Sequence, residues 1–159
     1  HLATLAFNQA AGLNTAIVAY RGTAPALNDV AGGHIQLLID PVLALLPMAQ
    51  DKKVVGLAVT SGKRTRLAPD IPTIAESGLA GFDHASWYGL WGPKDIPPAL
   101  LTALNKMAND AVRHLDSDGR LRQLGIEPVI ETPQQFADDA ARYVARNAEL
   151  LTAAKFEPL

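Results

Sequence analysis

Arg21-Gly22-Thr23-Ala24 is the part of this sequence whose residue types and order best suit a ligand. Gly22 turns the backbone without a Cβ penalty. Thr23 suits a helix cap, and Pro25 suits a first helical turn, where a missing N–H costs little. Such a turn presents backbone N–H groups at the positive end of a helix dipole, so the chemistry it offers is non-covalent binding of an anion. The residues alone leave a second reading open, an ordinary strand–turn–helix corner of the kind found throughout α/β proteins.

Bond-making chemistry finds less support. Ser61-Gly62-Lys63-Arg64-Thr65 imitates the end of a phosphate-binding loop, but Gly56 and Gly62 enclose five residues, one too many, and Arg64 stands where the Mg²⁺-binding hydroxyl belongs. His1, His34, His84 and His114 are scattered, with no i+4 pair to hold a metal. There is no cysteine, which removes disulfides, thiolate metal sites and cysteine nucleophiles. Ser86 lacks the Gly-x-Ser-x-Gly elbow. Asp138-Asp139 fall early in a predicted helix, where carboxylates complement the dipole. Asp40, just before Pro41, reads as a helix N-cap. No nucleophile, base and oxyanion hole assemble, so the sequence argues against an enzyme and calls for neither a metal nor another cofactor.

The elements that must position the Arg21–Ala24 turn follow from the pattern around it. Residues 1–11 read as a helix closed by Gly12, and residues 15–20 as a buried strand leading into the turn. A short helix over 24–31 ends at Gly32-Gly33. A strand over 34–39 leads through Asp40-Pro41 into a nearly all-apolar helix ending near Met48, expected to be well buried, and residues 54–59 form a third strand. This α-β-α-β-α-β order predicts an α/β fold with a mostly parallel sheet and flanking helices. Residues 60–81 break the rhythm as a long structured surface excursion with one helical turn at 73–77. Residues 83–91 are aromatic and extended, and Gly92–Pro98 is a proline-rich joint and the best candidate boundary. A long amphipathic helix over 98–115, a short one ended by Gly125, a strand over 126–130 and a helix capped by Thr132-Pro133-Gln134-Gln135 complete the chain. The last helix is expected to bury Phe136, Ala140, Tyr143, Val144, Ala148 and Leu151.

Composition sets the outer bounds. The 159 residues suffice for one domain or two small lobes, and 48% of them are hydrophobic, enough for a core. A formal charge of −2 with no basic stripe argues against nucleic-acid binding. No apolar run approaches the ~20 residues of a membrane span; the longest, from Ile35 to Met48, is broken by Asp40, Pro41 and Pro47. The chain opens on His1-Leu2-Ala3-Thr4-Leu5-Ala6-Phe7, which reads as the inside of a helix and raises the expectation of a fragment or a trimmed chain.

Several strings then occur in one order. They are Tyr20-Arg21-Gly22-Thr23-Ala24-Pro25-Ala26-Leu27, Gly32-Gly33, Asp40, Leu57-Ala58-Val59-Thr60, Pro69-Asp70-Ile71-Pro72-Thr73, Glu76-Ser77-Gly78, Ser86-Trp87-Tyr88-Gly89-Leu90 and Thr132-Pro133-Gln134-Gln135-Phe136. Together they make the whole chain resemble the extracytoplasmic solute-binding proteins of tripartite tricarboxylate transporters, the Bug family. The Pro69–Gly78 string is the most specific part. The resemblance implies a periplasmic-binding-protein-like, type II flytrap fold that closes on a small mono- or dicarboxylate in the periplasm and delivers it to membrane permease subunits. Residues 1–86 would form a ligand-binding lobe incomplete at its N-terminus, 87–98 a crossover hinge, and 99–159 the C-terminal part of the other lobe.

The resemblance also carries site residues over. Arg21, Gly22, Thr23 and Ala24 match the loop that faces the ligand carboxylate through backbone N–H groups. Asp40 matches an acidic position at the cleft, and His1 matches the end of another ligand loop. Arg21 replaces the family's usual lysine. Pro93-Lys94-Asp95-Ile96-Pro97 replaces a common Pro-Ala-Gly-Thr-Pro, which concerns the hinge. A sensing protein that presents the ligand to a signalling partner is the alternative, and an enzyme with its catalytic set in a missing half is a third. If the polypeptide starts at His1, apolar faces beyond Pro98 need cover, so a homodimer or domain exchange is expected.

Overall fold

A computed structural model of the chain describes residues 1–154. Two compact units make up the fold, one spanning His1–Ala85 and a second beginning at Ser86.

The first unit opens with helix α1 (Leu2–Ala11). Its stop is written in the sequence: Gly12 adopts φ 63°, and the Gly12 N–H reaches back to the carbonyls of Asn8 and Gln9. Ala6 and Asn8 are buried, and Thr15 Oγ1 donates to Asn8 Oδ1 at 2.8 Å, tying the segment after the helix to its inner face. Helices α2 (Thr23–Ala31) and α3 (Val42–Gln50) follow. α3 was expected to be well buried, yet none of its residues is, and Leu43 is 49% exposed. Apolar composition sets what a helix gains by burial; it does not supply the neighbour that buries it.

The expected strands at 15–20, 34–39 and 54–59 lie outside the helices, but no ladder joins them among the described residues. The sole β pairing there is an isolated parallel bridge between Val59 and Thr73, so the mostly parallel sheet is not seen. A helix closes its hydrogen bonds within itself, whereas a strand closes them only on a neighbour in register, and an apolar β-branched run specifies the strand without naming that neighbour.

The excursion after residue 60 turns out to hold much of this unit's core. Ala68, Thr73 and Ile74 are buried within it, and Phe82 and His84 just after it, where Phe82 meets Phe7 of α1 edge to face at 6.5 Å. Val59 N–H donates to Pro72 O at 2.8 Å, Ile74 N–H to Val59 O at 3.0 Å, and His84 N–H to Thr60 O at 2.8 Å. Thr73 and Glu76 cap one another: Glu76 N–H donates to Thr73 Oγ1 at 3.0 Å, and Thr73 N–H donates to Glu76 Oε2 at 2.8 Å. Arg64 Nε donates to both Glu76 oxygens, at 3.1 and 2.9 Å, and Arg64 Nη1 to Pro69 O at 3.1 Å. The Pro69–Gly78 string is thus a structural clamp.

That clamp is pH-dependent in a defined sense. The Thr73 N–H, and after it the Arg64 guanidinium, hold the Glu76 carboxyl below its usual range. A carboxyl with a lowered folded pKa stabilises the fold at neutral pH and loses that contribution as acid protonates it. The advantage of the natural chain over Glu76→Gln is therefore expected in full near neutrality and to fade as pH falls below about 4.3. Melting temperatures of both proteins across that range check this; a gap that does not change with pH would count against it.

The second unit carries helices α4 (Pro98–Ser117), α5 (Arg120–Gln123) and α6 (Pro133–Ala153). α4 starts with Pro97 as N-cap and Pro98 in its first turn, and α6 starts with the full Thr132–Gln135 capping box. The expected strand at 126–130 lies outside the helices and joins no ladder among the described residues; Asn105 and Asn109 Nδ2 instead donate to Glu131 O, at 3.0 and 2.9 Å. On α6, Ala140, Asn147 and Leu150 are buried, and Phe136, Tyr143 and Leu151 are half-buried. Val144 and Ala148, expected inside, are exposed. The inward stripe runs 136, 140, 143, 147 and 150, and polar Asn147 occupies the place a purely apolar pattern gave to Ala148.

Candidate functional site

The turn that sequence singles out lies between the segment ending at Tyr20 and the start of α2. Gly22 is the N-cap of α2, with φ 101° and ψ 172°. This is backbone that L side chains rarely adopt, so glycine is required here for the chain to enter the helix at this angle. No side chain caps the α2 start, and its first turn holds no acidic residue. Its leading N–H groups are therefore not engaged by a side-chain cap, and the dipole gives them an affinity for negative charge.

Thr23 was expected as the cap and proves to be the first helical residue. Its hydroxyl turns away from the helix start and donates to Asp40 Oδ1 at 3.0 Å. Asp40 in turn does not cap α3; Pro41 holds that position with φ −53° and ψ 140°. The two departures have one cause. A hydroxyl–carboxylate bond is charge-assisted and stronger than a hydroxyl–amide cap, so Thr23 and Asp40 satisfy each other. Thr23 and Asp40 are half-buried, while Arg21, Gly22 and Ala24 are exposed.

The return from α2 brings Asp40 into reach. Gly32 N–H closes on Asn28 O at 2.8 Å, Gly33 takes φ 74°, and His34 N–H donates to Asp29 O at 2.9 Å. A Cβ on Gly32 would stand 3.1 Å from the His34 ring and 3.2 Å from Asn28 O, so a larger residue here would make the His34 ring give way by a few tenths of an ångström. Tyr20, just before the turn, donates its hydroxyl to Asp29 Oδ2 at 2.7 Å, and this bond to a carboxylate raises the tyrosine pKa. Sequence reasoning missed the Tyr20–Asp29 pair, since no helix or strand period links those two positions.

Five of the six predicted site residues thus gather at one place: Arg21, Gly22, Thr23 and Ala24 by chain adjacency, and Asp40 through the Thr23 bond. The sixth, His1, sits exposed on a separate element as the N-cap of α1, its carbonyl accepting from Leu5 N–H at 3.0 Å. In the second unit a concavity is lined by Glu131, Gln135, Asp138, Asp139 and Arg142. Its carboxylates make it a poor host for an anion, and Arg142 is already paired with Asp139. Among the described residues no group of three or more His, Asp or Glu side chains is placed to hold a metal ion, and no helix is long and apolar enough to cross a membrane.

A family model described as the tripartite tricarboxylate transporter family receptor matches residues 1–155. Among curated relatives, a protein of the tcbD–tcbE intergenic region of Pseudomonas sp. strain P51 is 36% identical over 139 residues, covering 87% of this chain and 41% of the relative. Among solved structures, R. palustris Rpa4515 with adipate superposes with a TM-score of 0.80 at 33% identity, covering 100% of this chain and 53% of that one. The periplasmic binding protein BugD gives a TM-score of 0.75 at 33% identity, covering 99% of this chain and 53% of that one. The chain therefore has the fold found in periplasmic binding proteins and spans about half the length of the proteins it matches.

Proposed function

The chain belongs to the tripartite tricarboxylate transporter family of receptors, and from that membership we propose that it binds a small mono- or dicarboxylate outside the cytoplasm for delivery to membrane permease subunits. The observation that carries the reading is the likeness, over the whole chain, to a solved protein that holds adipate. The uncapped α2 start is the feature of this chain that fits such a ligand. Recognition runs through backbone N–H groups and bridging water, because the Thr23 hydroxyl is already given to Asp40. Arg21, exposed beside the turn, adds a charged donor for a carboxylate. Asp40 disfavours a second negative charge next to itself and sets the orientation of Thr23. His1 adds a contact from α1. The protein works as a receptor rather than as an enzyme.

In this reading residues 1–86 are the ligand lobe, 87–98 the crossover hinge and 99–159 part of the opposite lobe of a type II flytrap. The extended segments of the first unit are strands of a mostly parallel sheet, in keeping with the parallel Val59–Thr73 bridge. Closure of the lobes shifts a population from open to closed when the solute binds.

Thermal unfolding of the chain with adipate, succinate, citrate, aspartate or glutamate tests the reading. An acid present at about 100 times its dissociation constant adds about 2.7 kcal/mol of stability. Gly22→Ala is expected to cost about 1–2 kcal/mol through backbone strain and to weaken the acid's effect at least about tenfold. Failure of every acid to shift the melt, or an equal shift with uncharged adipamide, would overturn the proposal.

A further inference from the structure

Asp29 joins the two segments that flank α2. Its side chain takes the Tyr20 hydroxyl proton, Oδ2 standing 2.7 Å from the tyrosine oxygen, on the side where the chain enters the helix. Its carbonyl accepts His34 N–H at 2.9 Å, on the side where the chain leaves. Asp29 lies about 9 Å along the helix axis from Thr23, so the bond to Tyr20 is made beside the helix, well past its start. This close to the C-terminal end of α2 the dipole disfavours a carboxylate, and the Tyr20 hydroxyl offsets that cost.

We propose that Tyr20 and Asp29 are positioning residues of the anion site: together they fix the angle at which the Arg21–Ala24 turn enters α2, and so set how tightly the site holds a carboxylate. The proposal rests on the carboxylate-binding reading above. Three observations carry it. Gly22, at φ 101°, permits the angle but does not hold it, because glycine has the widest backbone freedom of any residue. The hold therefore comes from the residues on either side: Tyr20 is tied to Asp29 behind the glycine, and Thr23 Oγ1 to Asp40 Oδ1 at 3.0 Å ahead of it. α2 itself is anchored through Ala26, which is 3% exposed, so Asp29 offers Tyr20 a fixed point.

Tyr20 acts from behind the turn and does not touch the ligand with its proton. A tyrosine has one hydroxyl proton, and Tyr20 gives it to Asp29. The same bond holds that proton on Tyr20 above its ordinary range, so the donor is present at neutral pH. Without the bond, Gly22 samples other angles, and the leading N–H groups of α2 converge on one carboxylate for only part of the time. Loss of a supporting bond behind a metal ligand costs about 10–100-fold in affinity. A turn that Thr23 and Asp40 still hold from the other side falls at the low end of that range, about tenfold.

Calorimetric titration of the chain with adipate, succinate, citrate, aspartate and glutamate at neutral pH tests the role. Tyr20→Phe removes only the hydroxyl and should weaken every acid that binds the natural chain about tenfold, with helical circular dichroism unchanged. Asp29→Ala should match it. Asp29→Asn keeps an oxygen to accept the Tyr20 proton and should recover most of the affinity. Without any acid present, the amide resonances of Gly22, Thr23 and Ala24 should move in Tyr20→Phe and Asp29→Ala and stay in place in Asp29→Asn. A residue that only stabilised the fold would change neither these resonances nor the affinity of molecules that remain folded. Two failures are distinct. If the natural chain binds none of the five acids, the carboxylate reading falls and the proposal with it. If the natural chain binds an acid and Tyr20→Phe binds it equally well, the reading stands and the positioning role is overturned.

Discussion

Thr73→Val lowers the stability of the first unit by about 1–2 kcal/mol, although valine has nearly the shape of threonine. Thr73 is 2% exposed, the most deeply buried side chain described. Its hydroxyl accepts the Glu76 N–H, its own N–H is held by the Glu76 carboxylate, and its carbonyl accepts both Ser77 N–H and Ser77 Oγ. Valine keeps the backbone bonds and removes the hydroxyl, so the Glu76 N–H loses its partner. The cost is that of a lost cap, about 0.5–2 kcal/mol, because Glu76, which carries the donor, is itself exposed.

Two controls separate this cause from loss of packing. Thr73→Ser keeps the hydroxyl and drops one methyl, so it should cost only about 1 kcal/mol. Glu76→Gln keeps an acceptor for the Thr73 N–H and loses the Arg64 pair, which is half-exposed and screened by solvent, so it should cost less than Thr73→Val. Urea unfolding followed by far-ultraviolet circular dichroism ranks the three. If valine proves as stable as serine, the capping bonds are not what holds the excursion.

The contrast between what could and could not be read from residue order is physical. Helices were legible because their signals are local. Gly12 stops α1, Pro98 opens α4 and Thr132–Gln135 caps α6, each fixed by residues within one turn. The ladders expected at 15–20, 34–39 and 54–59 depend on partners distant in sequence, and the pattern that marks a strand leaves its neighbour unspecified. The same limit applies at the site. Gly22 and the α2 start were legible as a turn because glycine and a helix start are local facts. That Thr23 would bond Asp40, and Tyr20 would bond Asp29, follows only once Gly32-Gly33 has folded the chain back. The excursion shows the converse. Its prolines and charges read as surface, yet Ala68, Thr73 and Ile74 are buried there, because hydrogen bonds within the segment satisfy the polar groups that burial would otherwise penalise.

Trp87→Ala is expected to have the largest effect of any single change in the second unit, about 3 kcal/mol. Three rings meet Trp87: Phe136 edge-on at 5.5 Å, Tyr143 edge-on at 5.4 Å and Trp91 tilted at 6.3 Å. Each aromatic pair contributes about 0.5–1.5 kcal/mol beyond burial, and Trp87 belongs to three of them. Being 39% exposed, it sits at the low end of the range for removing a large aromatic side chain. Trp87→Phe keeps a ring for Phe136 and Tyr143 and should recover more than half of the loss. Trp91 remains as the fluorophore in both variants, so its emission reports unfolding of this unit directly. If Trp87 acts by fastening the 86–91 segment to α6, the alanine variant unfolds at lower urea, and Trp91 is already more accessible to quenching by acrylamide before the transition. An alanine variant that loses less than about 1 kcal/mol, with Trp91 equally shielded, would place the support for that segment on the close approach of Gly89 to Phe136 instead.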